Sequence, residues 1–182
     1  MSTASDRAPL RAVTESGAGT KELAGRLASL VQPGDVVLLV GELGSGKTAF
    51  AQGFAAALGV PGPVTSPTFA LVRHYRTGAG SSVATLIHAD VYRTGSLEEV
   101  TDLALAELVE EDVVVMVEWG DIAAPALGEE ALVVTLEAPD ALVAPERRFL
   151  TIELCGSWLE RAAAVADAIV PFEMRAAPRG GS

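Results

Sequence analysis

Asparagine is absent from the 182 residues, cysteine occurs once, and lysine occurs only at Lys21 and Lys47. Without asparagine there is no N-K-x-D sequence to read guanine, which argues against a GTPase. A lone cysteine, Cys155, permits no internal disulfide and no zinc-finger spacing. It closes the apolar run Phe149 to Leu154 and is read as core packing rather than as a reactive thiol. Positive charge is scarce, with 13 Lys and Arg against 24 Asp and Glu and a net charge of −11. Such a chain repels nucleic acid overall, so any nucleic-acid role is expected to be indirect. No apolar stretch approaches the ~18 residues of a membrane span. The first six residues lack a charged-then-apolar leader pattern. A cytoplasmic location and no membrane contact are expected.

Apolar residues make up 49% and charged residues 20% of the chain, a globular composition at a length that suits one domain with a proper core. The most informative stretch runs from Asp35 to Thr48. Val36 to Val40 reads as an interior strand of a parallel sheet. Gly41-Glu42-Leu43-Gly44-Ser45-Gly46-Lys47-Thr48 follows, and Ala49-Phe50-Ala51-Gln52 opens a helix. Strand, G-x-x-x-x-G-K-T and helix together make a phosphate-binding P-loop. Its glycines let backbone amides approach phosphate oxygens, and the helix start adds free N–H groups. Lys47 reaches the terminal phosphates as a point charge, and the Thr48 hydroxyl can hold magnesium. One of only two lysines stands where this motif needs one.

Residues 1–9 are read as a tail, 10–170 as one folded domain and 171–182 as a second tail. Leu10 to Thr14 suits a first strand. Leu23, Leu27, Leu30 and Val31 recur at helical spacing from about Thr20, ending at Pro33-Gly34. Phe69 to Tyr75 and Val83 to Ala89 read as strands joined by Thr77-Gly78-Ala79-Gly80-Ser81, an antiparallel hairpin expected beside the P-loop strand in a mixed sheet. Ser96 with Glu99, and Ser157 with Glu160, read as capping boxes for helices to about Glu111 and Val170. Val113 to Val117, Ala131 to Glu137 and Phe149 to Leu154 complete the strands.

Hydrolysis needs more than a phosphate cradle. Magnesium needs a second carboxylate, and an attacking water needs orienting. The apolar run Val113 to Val117 ends in Glu118, which places a carboxylate on the sheet edge where the P-loop opens. Glu118 is therefore the candidate second metal partner beside Thr48. Asp90, in His88-Ala89-Asp90-Val91-Tyr92-Arg93, occupies a similar strand end. It is read either as a water- or magnesium-positioning carboxylate or as a turn residue paired with Arg93. His88 by itself reads as structural. Thr65-Ser66-Pro67-Thr68-Phe69 gathers three hydroxyls around a proline and, on its own, reads as a loop.

These motifs, Gly-Glu-Leu-Gly-Ser-Gly-Lys-Thr-Ala-Phe at 41–50, Ser-Pro-Thr-Phe at 66–69, His-Ala-Asp-Val-Tyr-Arg at 88–93 and Glu-Trp at 118–119, stand in the order and spacing of one family. The chain resembles TsaE (also called YjeE), a small bacterial ATPase of tRNA threonylcarbamoyladenosine biosynthesis, from about Thr20 to Arg148. The resemblance implies an α/β P-loop NTPase-like three-layer fold with a mixed, mostly parallel central sheet. It implies ATP and Mg2+ as ligands and a slow ATPase that works with the TsaB and TsaD proteins, which would hold the tRNA. It assigns catalysis to Asp90, Glu118 and Lys47, and the metal to Thr48 and Glu118. Nucleotide contacts fall to Glu42, Leu43, Gly44, Ser45, Gly46, Lys47, Thr48, Ala49, Thr68 and Arg148, with Arg147 competing for the last place. Ser66 to Phe69 becomes a segment that senses the terminal phosphate. Two other readings share the P-loop: a small-molecule or nucleotide kinase, and a nucleotide-gated binding module without required hydrolysis.

Overall fold

The computed structural model describes residues 8–65, 72–92, 112–139 and 143–173. Thr68 and the rest of the Ser66–Phe69 segment, Arg93, the helix expected from Ser96 to Glu111, the first seven residues and residues 174–182 lie outside this set. Among the described residues seven strands form one sheet: β1 (Leu10–Thr14), β2 (Val36–Val40), β3 (Val72–Arg76), β4 (Thr85–Asp90), β5 (Val113–Glu118), β6 (Ala131–Glu137) and β7 (Arg148–Leu154). Their spatial order is β1-β7-β6-β2-β5-β4-β3. The middle is parallel, with β2 pairing β5 and β6, and β5 pairing β4. Both margins are antiparallel.

Helices α1 (Gly17–Ala28), α2 (Lys47–Ala57) and α4 (Ala162–Ile169) cover one face, and α3 (Gly120–Leu127) covers the other. Leu23, Leu27, Phe50, Phe54 and Val165 meet Val37, Leu39 and Met116 in the first core. Ala123 and Leu127 meet Val36, Leu38 and Val117 in the second. Both faces of β2 and β5 are therefore buried, which is why their sequences are continuous apolar runs and not alternations. Where α1 crosses α2 the contact is close: a Cβ on Gly53 would lie 2.3 Å from the Lys21 carbonyl oxygen. No helix among the described residues is long and apolar enough to cross a membrane.

The structure differs from the sequence reading at several places; the helix α3 has no counterpart in that reading, and β4 starts at Thr85 rather than Val83. The hairpin β3–β4 is present but does not flank the P-loop strand; β5 lies between. Helix α1 begins at Gly17, earlier than Thr20, because Ser16 Oγ accepts the Gly19 N–H at 3.1 Å and caps it. Ser157 caps no α-helix. It lies in a 3-10 segment, Gly156–Arg161, and α4 starts at Ala162. There Arg161 makes a bidentate pair with buried Asp35 at 2.5 and 2.7 Å, and this tertiary tie holds the turn. Val170–Phe172 forms another 3-10 turn and Glu173 bridges Ala12, so ordered chain continues past the expected start of the tail at Pro171. Cys155 is only half-buried, just beyond β7. Burial and then the charges of Glu153 and Glu130 push its thiol pKa up.

Candidate functional site

The P-loop turn depends on backbone conformations that side chains resist. Gly41 has φ 144° and Gly46, which precedes α2, has φ 107°. A Cβ on Gly41 would lie 2.3 Å from the Leu136 carbonyl oxygen, so the loop folds flush against β6 only with glycine there. No side chain caps α2. Its first-turn N–H groups and the positive end of its dipole are left for an anion. Lys47 is 5% exposed, and its Nζ donates to the carbonyls of Gly41 at 2.6 Å and Glu42 at 2.8 Å. Two of the three ammonium protons hold the loop in shape, and one remains. Burial lowers the Lys47 pKa, while Glu118, Asp90 and Asp121 act to raise it. Glu42, Leu43 and Gly44 are exposed along the loop, whereas Ser45 is buried and Ala49 partly so.

Both candidate carboxylates stand at the same sheet edge. Asp90 and Glu118 are register partners at the C-terminal ends of β4 and β5. Alternation along each strand puts His88, Asp90, Met116 and Glu118 on the face that α2 covers. Thr48 Oγ1 lies 3.3 Å from Glu118 Oε2 and 3.5 Å from Oε1, although the two residues are 70 apart in sequence. His88 Nε2 lies 3.0 Å from Glu118 Oε1. Asp90 Oδ1 accepts the Tyr92 N–H at 3.1 Å, a local turn contact.

The two arginines that open β7 separate. Arg148 Nη2 donates to the Gly44 carbonyl at 3.2 Å, and its shank passes Gly46. Its Nε is buried without a hydrogen-bond partner. Arg147 turns away and pairs with Glu15 at 2.8 Å. Beside the loop a cleft of about 620 Å3 opens between the start of α1, the first turn of α2 and Arg148, with Ser16, Lys21, Gln52 and Glu146 in its wall. Two neighbours were not singled out from the sequence as site residues. Trp119, at φ 62°, sets its ring 3.9 Å from Lys47 Nζ and 4.4 Å from the Tyr92 ring. His88 and Trp119 each stand in a motif that carries the family resemblance, but neither motif gives them a role. Only the pairing of β4 with β5, and the left-handed turn after Glu118, bring them in.

The profile of the family "Threonylcarbamoyl adenosine biosynthesis protein TsaE" matches residues 14–148. The chain belongs to the TsaE family. The protein named tRNA threonylcarbamoyladenosine biosynthesis protein TsaE in Streptomyces coelicolor is 42% identical over 134 residues, covering 72% of this chain and 88% of that one. The protein of the same name in Bacillus subtilis is 40% identical over 118 residues, covering 65% and 71%. Among solved structures, YdiB of Bacillus subtilis superposes with a TM-score of 0.65 at 28% identity, covering 88% of this chain and 95% of that one. The P-loop, β4 with Asp90, β5 with Glu118 and Arg148 at the start of β7 lie within the matched range.

The residues of this TsaE-family chain fit a magnesium-bound triphosphate. Arg148 Nε is a buried cationic donor with no acceptor, at the lip of an uncapped helix N-terminus. One hydroxyl and one carboxylate make a hard-oxygen donor pair, of the kind that holds magnesium alongside phosphate and water. Among the described residues no group of three or more His, Cys, Asp or Glu side chains could cage a metal alone.

Proposed function

We propose that this chain binds ATP with Mg2+ at the P-loop and hydrolyses it slowly, in support of TsaB and TsaD as they modify tRNA. The observation that carries the reading is the approach of Thr48 Oγ1 to Glu118 Oε2, 3.3 Å, directly beside the P-loop amides and Lys47. When bound, magnesium neutralises phosphate charge and orients the terminal phosphoryl group. Thr48 and Glu118 would hold it. Lys47 and the first amides of α2 hold the phosphate oxygens, and Arg148 adds a second cation on the Gly44 side. Asp90 accepts a hydrogen bond from the attacking water and aims it. The nucleoside occupies the 620 Å3 cleft, a volume within the usual range of ligand sites. The net charge of −11 supports indirect contact with tRNA through partner proteins, and the proposed place of action is the cytoplasm.

Phosphate release separates this reading from its rivals. The chain alone with ATP and Mg2+ is expected to release little phosphate, and more once TsaB and TsaD are added. Glu118→Ala is expected to abolish the stimulated release. Phosphorylation of a small alcohol or nucleoside would favour a kinase. Full tRNA modification by a Glu118→Ala chain that no longer hydrolyses ATP would favour a nucleotide-gated binding module.

A further inference from the structure

The carboxylate of Glu118 is divided between two neighbours. Oε1 lies 3.0 Å from His88 Nε2, and Oε2 lies 3.3 Å from Thr48 Oγ1. His88 is 0% exposed and Glu118 3%. The two come from adjacent parallel strands, and His88 is in register with Met116, two residues before Glu118. The imidazole therefore lies one pleat inward from the carboxylate, on the same face. An ionised carboxylate only accepts hydrogen bonds, so Nε2 must carry the proton that joins them. Nδ1 is buried with no hydrogen-bond partner, so Glu118 holds the ring's one polar contact.

We propose that His88 is a positioning residue for the metal site. Its Nε2–H pins Oε1 of Glu118 and so turns Oε2 toward the Thr48 hydroxyl, where the ion is held. The inference rests on the reading of Thr48 and Glu118 as the magnesium-holding pair. Groups that orient a metal's direct ligands are worth about 10–100-fold in metal affinity.

The test is a calorimetric titration of Mg2+ into the full chain saturated with a non-hydrolysable ATP analogue. Native chain is compared with His88→Leu, which removes the donor, and His88→Gln, whose amide N–H can replace Nε2–H. His88→Leu is expected to weaken Mg2+ binding about 10–100-fold while analogue binding without metal is unchanged. His88→Gln is expected to recover most of the loss. In the native chain without nucleotide, the ring nitrogen shifts of His88 should report a proton on Nε2. Equal Mg2+ affinity in native and His88→Leu chains would overturn the role, as would an equal loss of metal-free analogue binding. If His88→Leu does not fold, weak Mg2+ binding by a folded His88→Gln chain or a ring with no proton on Nε2 overturns it. Near-native Mg2+ binding by His88→Gln with an Nε2–H ring upholds it. A native chain that binds no Mg2+ would sink the metal site and this role together, whereas native binding untouched by His88→Leu would sink this role alone.

Discussion

Lys47 pays for its position in solvation: burial lowers its pKa, and two carbonyls of its own loop share its protons. In the proposed site, a phosphate arriving at the remaining proton would replace the lost hydration with a charge-assisted bond. Lys47→Ala is expected to cost about 1.5–3 kcal/mol of ATP binding, roughly ten- to a hundredfold, by calorimetry. Unchanged affinity would place the nucleotide elsewhere. Cys155 gives a second test. Its pKa is raised above 9.0 in the fold, so between that value and the folded one the unfolded chain sheds the proton first, and this group's contribution to stability falls as pH rises. Iodoacetamide is expected to alkylate the folded chain more slowly than the denatured chain at mildly alkaline pH; equal rates would contradict the assignment. At this scale Lys47, Thr48 and Glu118 were legible in the sequence, because a spacing rule fixes the first two and an apolar run ends in the third. His88 was not, because its partner lies 30 residues away across a strand pairing that no local pattern records.

The crossing of α1 and α2 decides where the P-loop helix sits. Gly53 allows it, since any Cβ there meets Lys21 backbone, which cannot swing aside as a flexible side chain would. Gly53→Ala is expected to cost about 1–3 kcal/mol by overpacking. For a chain of this size that lowers the thermal midpoint by roughly 2–4 °C per kcal/mol. Nucleotide affinity should fall with it, because α2 carries the amides proposed to hold the phosphates; an unchanged midpoint would contradict the close contact. Strands β2 and β6 were readable residue for residue as apolar or alternating runs. The start of α1 was not, because Gly17-Ala18-Gly19 carries no amphipathic signal and only the Ser16 cap declares it. Ser157-x-x-Glu160 has the letters of a capping box. Gly156 at φ 53° and the Arg161–Asp35 pair hold it as a 3-10 turn instead.

Across the whole molecule, strand order is what the sequence conceals. Local patterns give seven strands but not the insertion of β5 between the P-loop strand and the hairpin. That insertion sets Glu118 next to Thr48 and Asp90 next to Glu118. The same scale governs partners. With a net charge of −11 the chain alone is expected to leave tRNA unshifted in a native gel at physiological salt, and to join it only when TsaB and TsaD are present. Direct, salt-sensitive binding would show a basic patch that the composition hides.

A crystal structure of the chain with Mg2+ and a non-hydrolysable ATP analogue tests the central claim most directly. The expected result is a triphosphate wrapped by Gly44 to Thr48, with the ion between the Thr48 hydroxyl and Glu118. A nucleotide bound away from that loop, or an ion that leaves Glu118 with His88 alone, would contradict it.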